Sequence, residues 1–398
     1  MLLLLLDLSV VWARRSSPVV PTRPLHVSVR RELIFNSSLD GCCAGDYSDV
    51  PVRPFKTSEK GEVTWLMGNS QGYYLSTSKS VFDKPVRNCK SALASNPSSR
   101  NCAPEVYYQS VWIQTAWALK SGTVHAFVHN EFHGEWQANK SYCPSKEQAK
   151  CWYVNLVSAL STNAGRTFML EPLPRRRIAF STPWQYVADG GRQGMANHLG
   201  VLASPQEDGY FYSLVWGSWP QKLDPHTRQG TCLYRSSNIS DSTAWRGWDG
   251  DSFSVRSINP YVDDTPAAGS NVKACCKPVL SGWFRFGWTY NTALRQYLTV
   301  GYGPHMLANG TRVPAVLYAV SNDMIHWSDA QYLMPQDITG GSLFAGQIMY
   351  PSFVDPHSAG LNFEFTGDTF WLYGSVDESF NRRNVWRWNV TVGGVAVQ

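Results

Sequence analysis

Charge is scarce in this chain: Asp, Glu, Lys and Arg make up 16% of its 398 residues, against roughly 25% in ordinary globular domains. With 43% hydrophobic residues, a disordered chain held open by charge is excluded. The basic excess amounts to a net +5. Its densest run is Arg175-Arg176-Arg177, far short of the basic stripe of a nucleic-acid footprint, so no nucleic-acid partner is expected. Amphipathic helical runs are few. Beyond the amino terminus no window reaches the roughly 18 apolar residues of a membrane-spanning helix, so no membrane partner is expected either. The chain also lacks a Gly-x-Ser-x-Gly elbow, a glycine-rich phosphate loop ahead of a helix, and any Cys-x-x-Cys pair. Serine-hydrolase, nucleotide-binding and zinc-ribbon chemistry are demoted accordingly.

Aromatic residues are plentiful instead, with 17 Trp, 19 Tyr and 17 Phe, beside 31 Gly and 23 Pro that supply turns. That mixture suggests many short strands. Residues 1–13 form an apolar stretch of the length of a signal-peptide core, and Ala13 offers a small residue for cleavage. Residues 1–25 are expected to be signal peptide and leader. Asn-x-Ser/Thr sequons at Asn36, Asn139, Asn238, Asn309 and Asn389, with nine cysteines, fit a secreted glycoprotein with disulfides. Cys89 with Cys102 and Cys143 with Cys151 would each staple a loop. The odd count leaves at least one thiol outside such bridges.

A faint internal repeat organises the chain. A strand-like segment runs into a Ser/Asn turn followed by an aromatic, first at Tyr74 to Ser78 with Phe82 and then at Leu156 to Ser161 with Phe168. It returns at Leu233 to Ser237 and Asn238 with Trp245, and at Leu317 to Ser321 with Trp327. The spacing, roughly 75 to 85 residues, suits propeller blades with long loops. Two strand candidates precede each copy: 50–56 and 62–68, 111–119 and 123–133, 198–203 and 210–216, 283–290 and 296–302. A fifth unit holds 350–354, 369–375 and 385–392, and segment 26–35 supplies its missing strand. The expected fold is all-β: a five-bladed β-propeller closed by an N-terminal strand, one domain over residues 26–398. A β-sandwich with appended modules is the alternative.

In such a fold the first strand of each blade lines the central channel, so polar residues at its start meet a ligand. Asp49 stands before a strand containing Arg53. His129, Glu131 and His133 share one strand face by period-two alternation. His198 and Arg285 begin the third and fourth blades, and Asp355 lies in the fifth, where Glu364 and Asp368 decorate a loop. Paired carboxylates are what glycosidic cleavage requires, one as base or nucleophile and one as acid. Aromatic faces suit sugar rings, although packing explains many of them equally well.

Ser321-Asn322-Asp323-Met324-Ile325-His326-Trp327 resembles the Ser-x-Asp-x-x-x-Trp blade signature of five-bladed propeller glycoside hydrolases of the arabinanase, β-xylosidase and invertase type. Asp49 ahead of a Pro-containing strand is similar to their blade-one carboxylate, the base of inverting members and the nucleophile of retaining ones. Their Asn-Asp-Pro-Asn and Arg-Asp-Pro segments are not present as such. A second stretch, Ser161 to Phe168, resembles the Asp-box of sialidase-type propellers with Asn163 in place of the Asp.

The expected function is a secreted glycoside hydrolase acting as a monomer on a polysaccharide or oligosaccharide. Asp49 serves as base or nucleophile, Glu131 as general acid, and Asp355 orients substrate or tunes a pKa. Arg53, His129, His133, His198 and Arg285 bind substrate. No cofactor is required; a central divalent ion held by His129, His133 and His198 is the other role open to those histidines. A non-catalytic propeller binding glycans or proteins, and a sialidase-like propeller, are the alternatives.

Overall fold

The computed structural model describes residues 19–69, 73–94, 100–173, 177–219, 229–263, 275–282, 284–336, 347–379 and 382–393. Most of the expected leader, together with Arg175 and Arg176, lies outside these residues. Within them the chain is all-β, and helix occurs only as five single 3-10 turns.

After β1 (Leu25–Phe35), the strands fall into five successive antiparallel groups. The first group runs β2 (Arg53–Lys56), β3 (Val63–Leu66), β4 (Tyr74–Ser78) and β5 (Val86–Ser91). The second is β6 (Ser110–Ala118), β7 (Val124–His133) and β8 (Trp152–Ser161), with short β9 (Met169–Leu170) and β10 (Ile178–Phe180) both on β8. The third comprises β11 (Gln193–Ala203), β12 (Phe211–Ser218), β13 (Gln229–Ser236), β14 (Arg246–Trp248) and β15 (Phe253–Arg256).

The fourth is β16 (Phe284–Asn291), β17 (Gln296–Met306), β18 (Arg312–Ser321) and β19 (Gln331–Pro335). To β16 the short β21 (Phe365–Thr366) adds in parallel. The fifth is β20 (Ile348–Val354), β22 (Thr369–Ser379) and β23 (Arg382–Val392), completed by β1 pairing antiparallel with β23. Groups two and three fuse into one sheet through a short parallel contact of Gln193 and Gly194 with Tyr153 and Val154. Gly194 is needed there: at φ +109° a side chain would put its Cβ 1.7 Å from the Val154 carbonyl oxygen.

The core is divided like the sheets. Phe55 and Leu66 pack with Ile113 and Val157 between groups one and two. Phe127 and Leu156 pack with Met195 and Val215 between two and three, and Leu214 with Trp288 and Tyr297 between three and four. Val300 and Val316 meet Leu372 and Val390 between four and five. Val354 and Tyr373 then meet Val63 and Trp65, joining the fifth group to the first.

The four repeat segments prove to be β4 and parts of β8, β13 and β18, each the third strand of its group, followed by a serine-centred turn. Ser321 Oγ accepts the Met324 N–H at 2.8 Å, and Ser161 Oγ accepts that of Gly165 at 2.9 Å. In the third copy the turn serine is Ser236, which accepts the Asn238 N–H, rather than Ser237. Asn163, in the stretch that resembles an Asp-box, accepts the Thr167 N–H and is a turn former, not a reactive group. Disulfides join Cys42 to Cys89, Cys143 to Cys151 and Cys232 to Cys276. The expected Cys89–Cys102 pair is thus corrected, because β5 carries Cys89 back onto the loop ahead of Asp49. Cys43, Cys102 and Cys275 remain outside the three bridges.

Candidate active site

The first strands of the five groups begin at one common end, and the side chains that converge there come from every group. Asp49, just before β2, anchors its N–H on the Gly68 carbonyl and leaves its carboxylate about one-fifth exposed. Its Oδ1 accepts the Tyr350 hydroxyl at 2.8 Å and pairs with the Arg383 guanidinium. Arg383, the second residue of β23, also lies 3.7 Å from Asp377 near the end of β22, and stacks over Tyr47. Burial opposes its charge, but Asp49 together with the phenols of Tyr350 and Tyr47 raises its pKa further above the usual arginine value.

Tyr350 reaches Asp49 because β20 is irregular between Met349 and Ser352, and Tyr350 itself adopts φ +54°. A bulky residue in that region is strained, by an amount on the order of 1–3 kcal/mol. The bulge re-aims its ring. Burial and the neighbouring Asp49 charge push the phenol well above its ordinary pKa.

Glu131 comes from the end of β7. Its Oε1 lies 2.9 Å from His129 Nε2 and its Oε2 2.9 Å from His133 Nε2. His129 Nδ1 is 2.7 Å from the Ala196 carbonyl, which can only accept, so that nitrogen carries a proton. His133 has a second carboxylate, Glu135, 3.2 Å from Nδ1, and its ring is stacked on Trp136. Burial alone would pull the His133 pKa down, but its hydrogen bonds to Glu131 and Glu135 carry it up to about 9. Burial likewise works against the Glu131 charge, and the two histidines overcome it, holding the carboxyl below the ordinary range. A general acid needs a carboxyl kept protonated near working pH. The bias at Glu131 is opposite.

Tyr47 links the two carboxylates electrostatically. Its pKa is pushed up to about 12 by burial first, then by Asp49, with Arg383 opposing and Asp377 and Glu131 adding to the rise. Tyr302, at the β17 position facing Phe284 in β16, is raised to about 12 by burial, with Arg192 and Arg383 opposing and Asp49 reinforcing. Arg192 stands immediately before β11, its guanidinium stacked over Trp152 at 4.2 Å and Trp216 at 4.9 Å.

Four expected site residues lie elsewhere or serve the scaffold. Asp355 follows the far end of β20, roughly 15 Å along the strand from Tyr350, where it accepts the N–H groups of His357 and Gly367, both at 2.7 Å. It shapes a loop and does not join Asp49. Arg53 spends its guanidinium on carbonyls of Gln114 at 2.5 Å, Leu199 at 2.7 Å and Phe286 at 2.6 Å. It pins the innermost strands of groups two, three and four to β2, and burial pulls its pKa down. His198 accepts at Nδ1 from Thr115 and Gly200 and donates from Nε2 to Ser213; burial and Arg53 keep it neutral. Arg285 is buried at the start of β16 and bonds the Ser281 carbonyl. Among the described residues, His129, His133 and His198 do not gather within the reach of one ion.

The Glu131–His133 pair gives stability a defined pH dependence. The raised His133 pKa contributes stability fully below its ordinary 6.5, lost as pH rises through about 9. The lowered Glu131 pKa contributes above the ordinary 4.5 and is lost as pH falls. Thermal melts should therefore show declining stability from about pH 6.5 to 9, and Glu131→Gln should flatten that decline. Parallel curves for the two proteins would refute the pairing.

No family model matches the chain, and no curated protein matches it. Solved structures do. A family 117 glycoside hydrolase from the marine bacterium Zobellia galactanivorans superposes with a TM-score of 0.50 at 9% identity, covering 92% of this chain and 91% of that one. An α-L-arabinanase of Cellvibrio cellulosa gives 0.42 at 10% identity, covering 86% and 91%. The likeness is one of fold, shared with the family 117 glycoside hydrolase.

Proposed function

We propose that the chain is a secreted, five-bladed propeller with glycoside-hydrolase-like activity, its single domain starting at His26 and its last blade closed by β1. The observation that carries this reading is that Asp49 and Glu131, from separate strand groups, both act electrostatically on Tyr47, whose ring lies against the Arg383 that pairs with Asp49. Asp49, ion-paired with Arg383, is the base or nucleophile. Protonation of the leaving group falls to the Glu131–histidine unit as a whole, in which a histidine ring nitrogen lies against each carboxylate oxygen, and not to a solitary neutral carboxyl. The three disulfides support an oxidising compartment.

Because Glu131 is held charged, a glycan-binding propeller without turnover is the second reading. A sialidase-like reaction is disfavoured: its Tyr nucleophile would need a lowered pKa, and that of Tyr350 is raised. The test is release of reducing ends by the purified chain from arabinans, xylans, fructans, mannans and acidic glycans, with and without chelator. Release from one substrate class supports the hydrolase. Sugar binding without release from folded protein supports the second reading.

A further inference from the structure

Three cationic side chains described at the mouth, two arginines and a histidine, are held in contrasting ways. Arg383 is engaged by Asp49 and Asp377, and His133 by two glutamates. Arg192 differs from both. Its guanidinium is held by the faces of Trp152 and Trp216, which fix its plane without using a single N–H donor. Its Nε is buried with no hydrogen-bond partner among the described residues. Trp152, on which it stacks, is paired with His133 across β7 and β8 and lies against that ring, so the guanidinium stands beside the Glu131–histidine unit; burial disfavours its charge, and Glu131, Tyr350 and Tyr302 favour it.

A buried guanidinium donor left unmade is costly, and a planar fork fixed by stacking is preorganised for a two-oxygen acceptor. We propose that Arg192 recognises an oxyanion on the substrate, so that the mouth selects a sugar bearing a carboxylate or a sulfate ester over its neutral counterpart. This rests on the reading of the mouth as a carbohydrate site and names its substrate class.

The experiment is calorimetric binding of three matched oligosaccharides to the intact chain: neutral, with carboxylate in place of hydroxymethyl, and sulfated. An acidic form is expected to bind about ten- to a hundredfold more tightly than the neutral one, the range of a charge-assisted hydrogen-bonded pair. Whichever of the two acidic sugars gains identifies the oxyanion. Arg192→Gln should erase the gain, and Arg192→Lys, which keeps charge but loses the fork, should retain only part of it. Circular dichroism checks the folding of both. Should Arg192→Gln fail to fold, a salt titration of the unmodified chain decides: acidic-sugar affinity must fall with ionic strength while neutral-sugar affinity does not. Equal affinities for neutral and acidic sugars, or a preference that survives Arg192→Gln, would overturn the proposal. If neutral sugars bind and are cleaved without acidic preference, the inference about Arg192 falls alone. If no sugar binds or is cleaved, the carbohydrate reading falls with it.

Discussion

Asp49→Asn is expected to lower hydrolytic turnover by about a hundredfold to ten-thousandfold, the range for removing a general base, and by more if Asp49 is the nucleophile. The substitution keeps an oxygen where the Tyr350 hydroxyl and the Arg383 guanidinium now bond. Asp377 stays beside Arg383. The scaffold should consequently survive, with an unchanged circular-dichroism spectrum and a melting temperature shifted by a few degrees at most. Sugar affinity should change little, since the loss lies in the reaction and not in the stacking surfaces. A variant that folds, binds and still turns over at the parent rate would remove Asp49 from the chemistry.

The largest loss of stability is expected one turn of chain earlier, at Asp46. Its carboxylate accepts Arg87 Nε at 3.1 Å and Nη2 at 3.0 Å, and also the Cys42 N–H at 2.9 Å. Both side chains are 1% exposed. Arg87 is further bound to the Tyr74 and Met67 carbonyls and lies over Phe35, so it cannot swing out to water. Asp46→Ala would strand that cation in the core, at a cost of about 3–5 kcal/mol. Urea denaturation should show the midpoint falling accordingly. Adding Arg87→Met should recover part of the loss, because the buried charge is then gone as well. Equal stability of Asp46→Ala and the parent would show that the pair holds nothing. Asp46 is also tied through Cys42 to the Cys42–Cys89 bridge, so this pair and that bridge together fix the loop that delivers Asp49 to the mouth.

The strands were legible because their apolar residues alternate and their turns carry Ser, Asn and Gly. Segments expected at 123–133, 210–216 and 26–35 became β7, β12 and β1 within a few residues. Asp49 and the His129-Glu131-His133 face were legible too, since both follow from position along a strand. The rest of the mouth was not. Arg192 stands just before β11, and Gln193 begins it, behind a glycine-rich stretch, so the expected strand started at His198 and missed them. Tyr350 depends on a bulge, and Arg383 and Asp377 sit at a hairpin end between outer strands, where attention to first strands alone does not look. Arg53, His198 and Asp355 were misjudged for a shared reason: strand position shows which residues face the axis, but not how deep along it they lie or which carbonyls claim them.

The pairing of β1 with β23, from Leu25 opposite Val392 to Phe35 opposite Val385, bears on how the protein is made. As the chain leaves the ribosome, β1 lacks its partner until β23 has been synthesised. Contacts so distant in sequence form slowly, and an unpaired edge invites association with other chains in the meantime. Once the match is made, β1 and β23 hold each other, and a product cut short before Val385 has nothing to offer β1. Loss of β23 would thus leave β1 as an unpaired edge open to pairing with other chains.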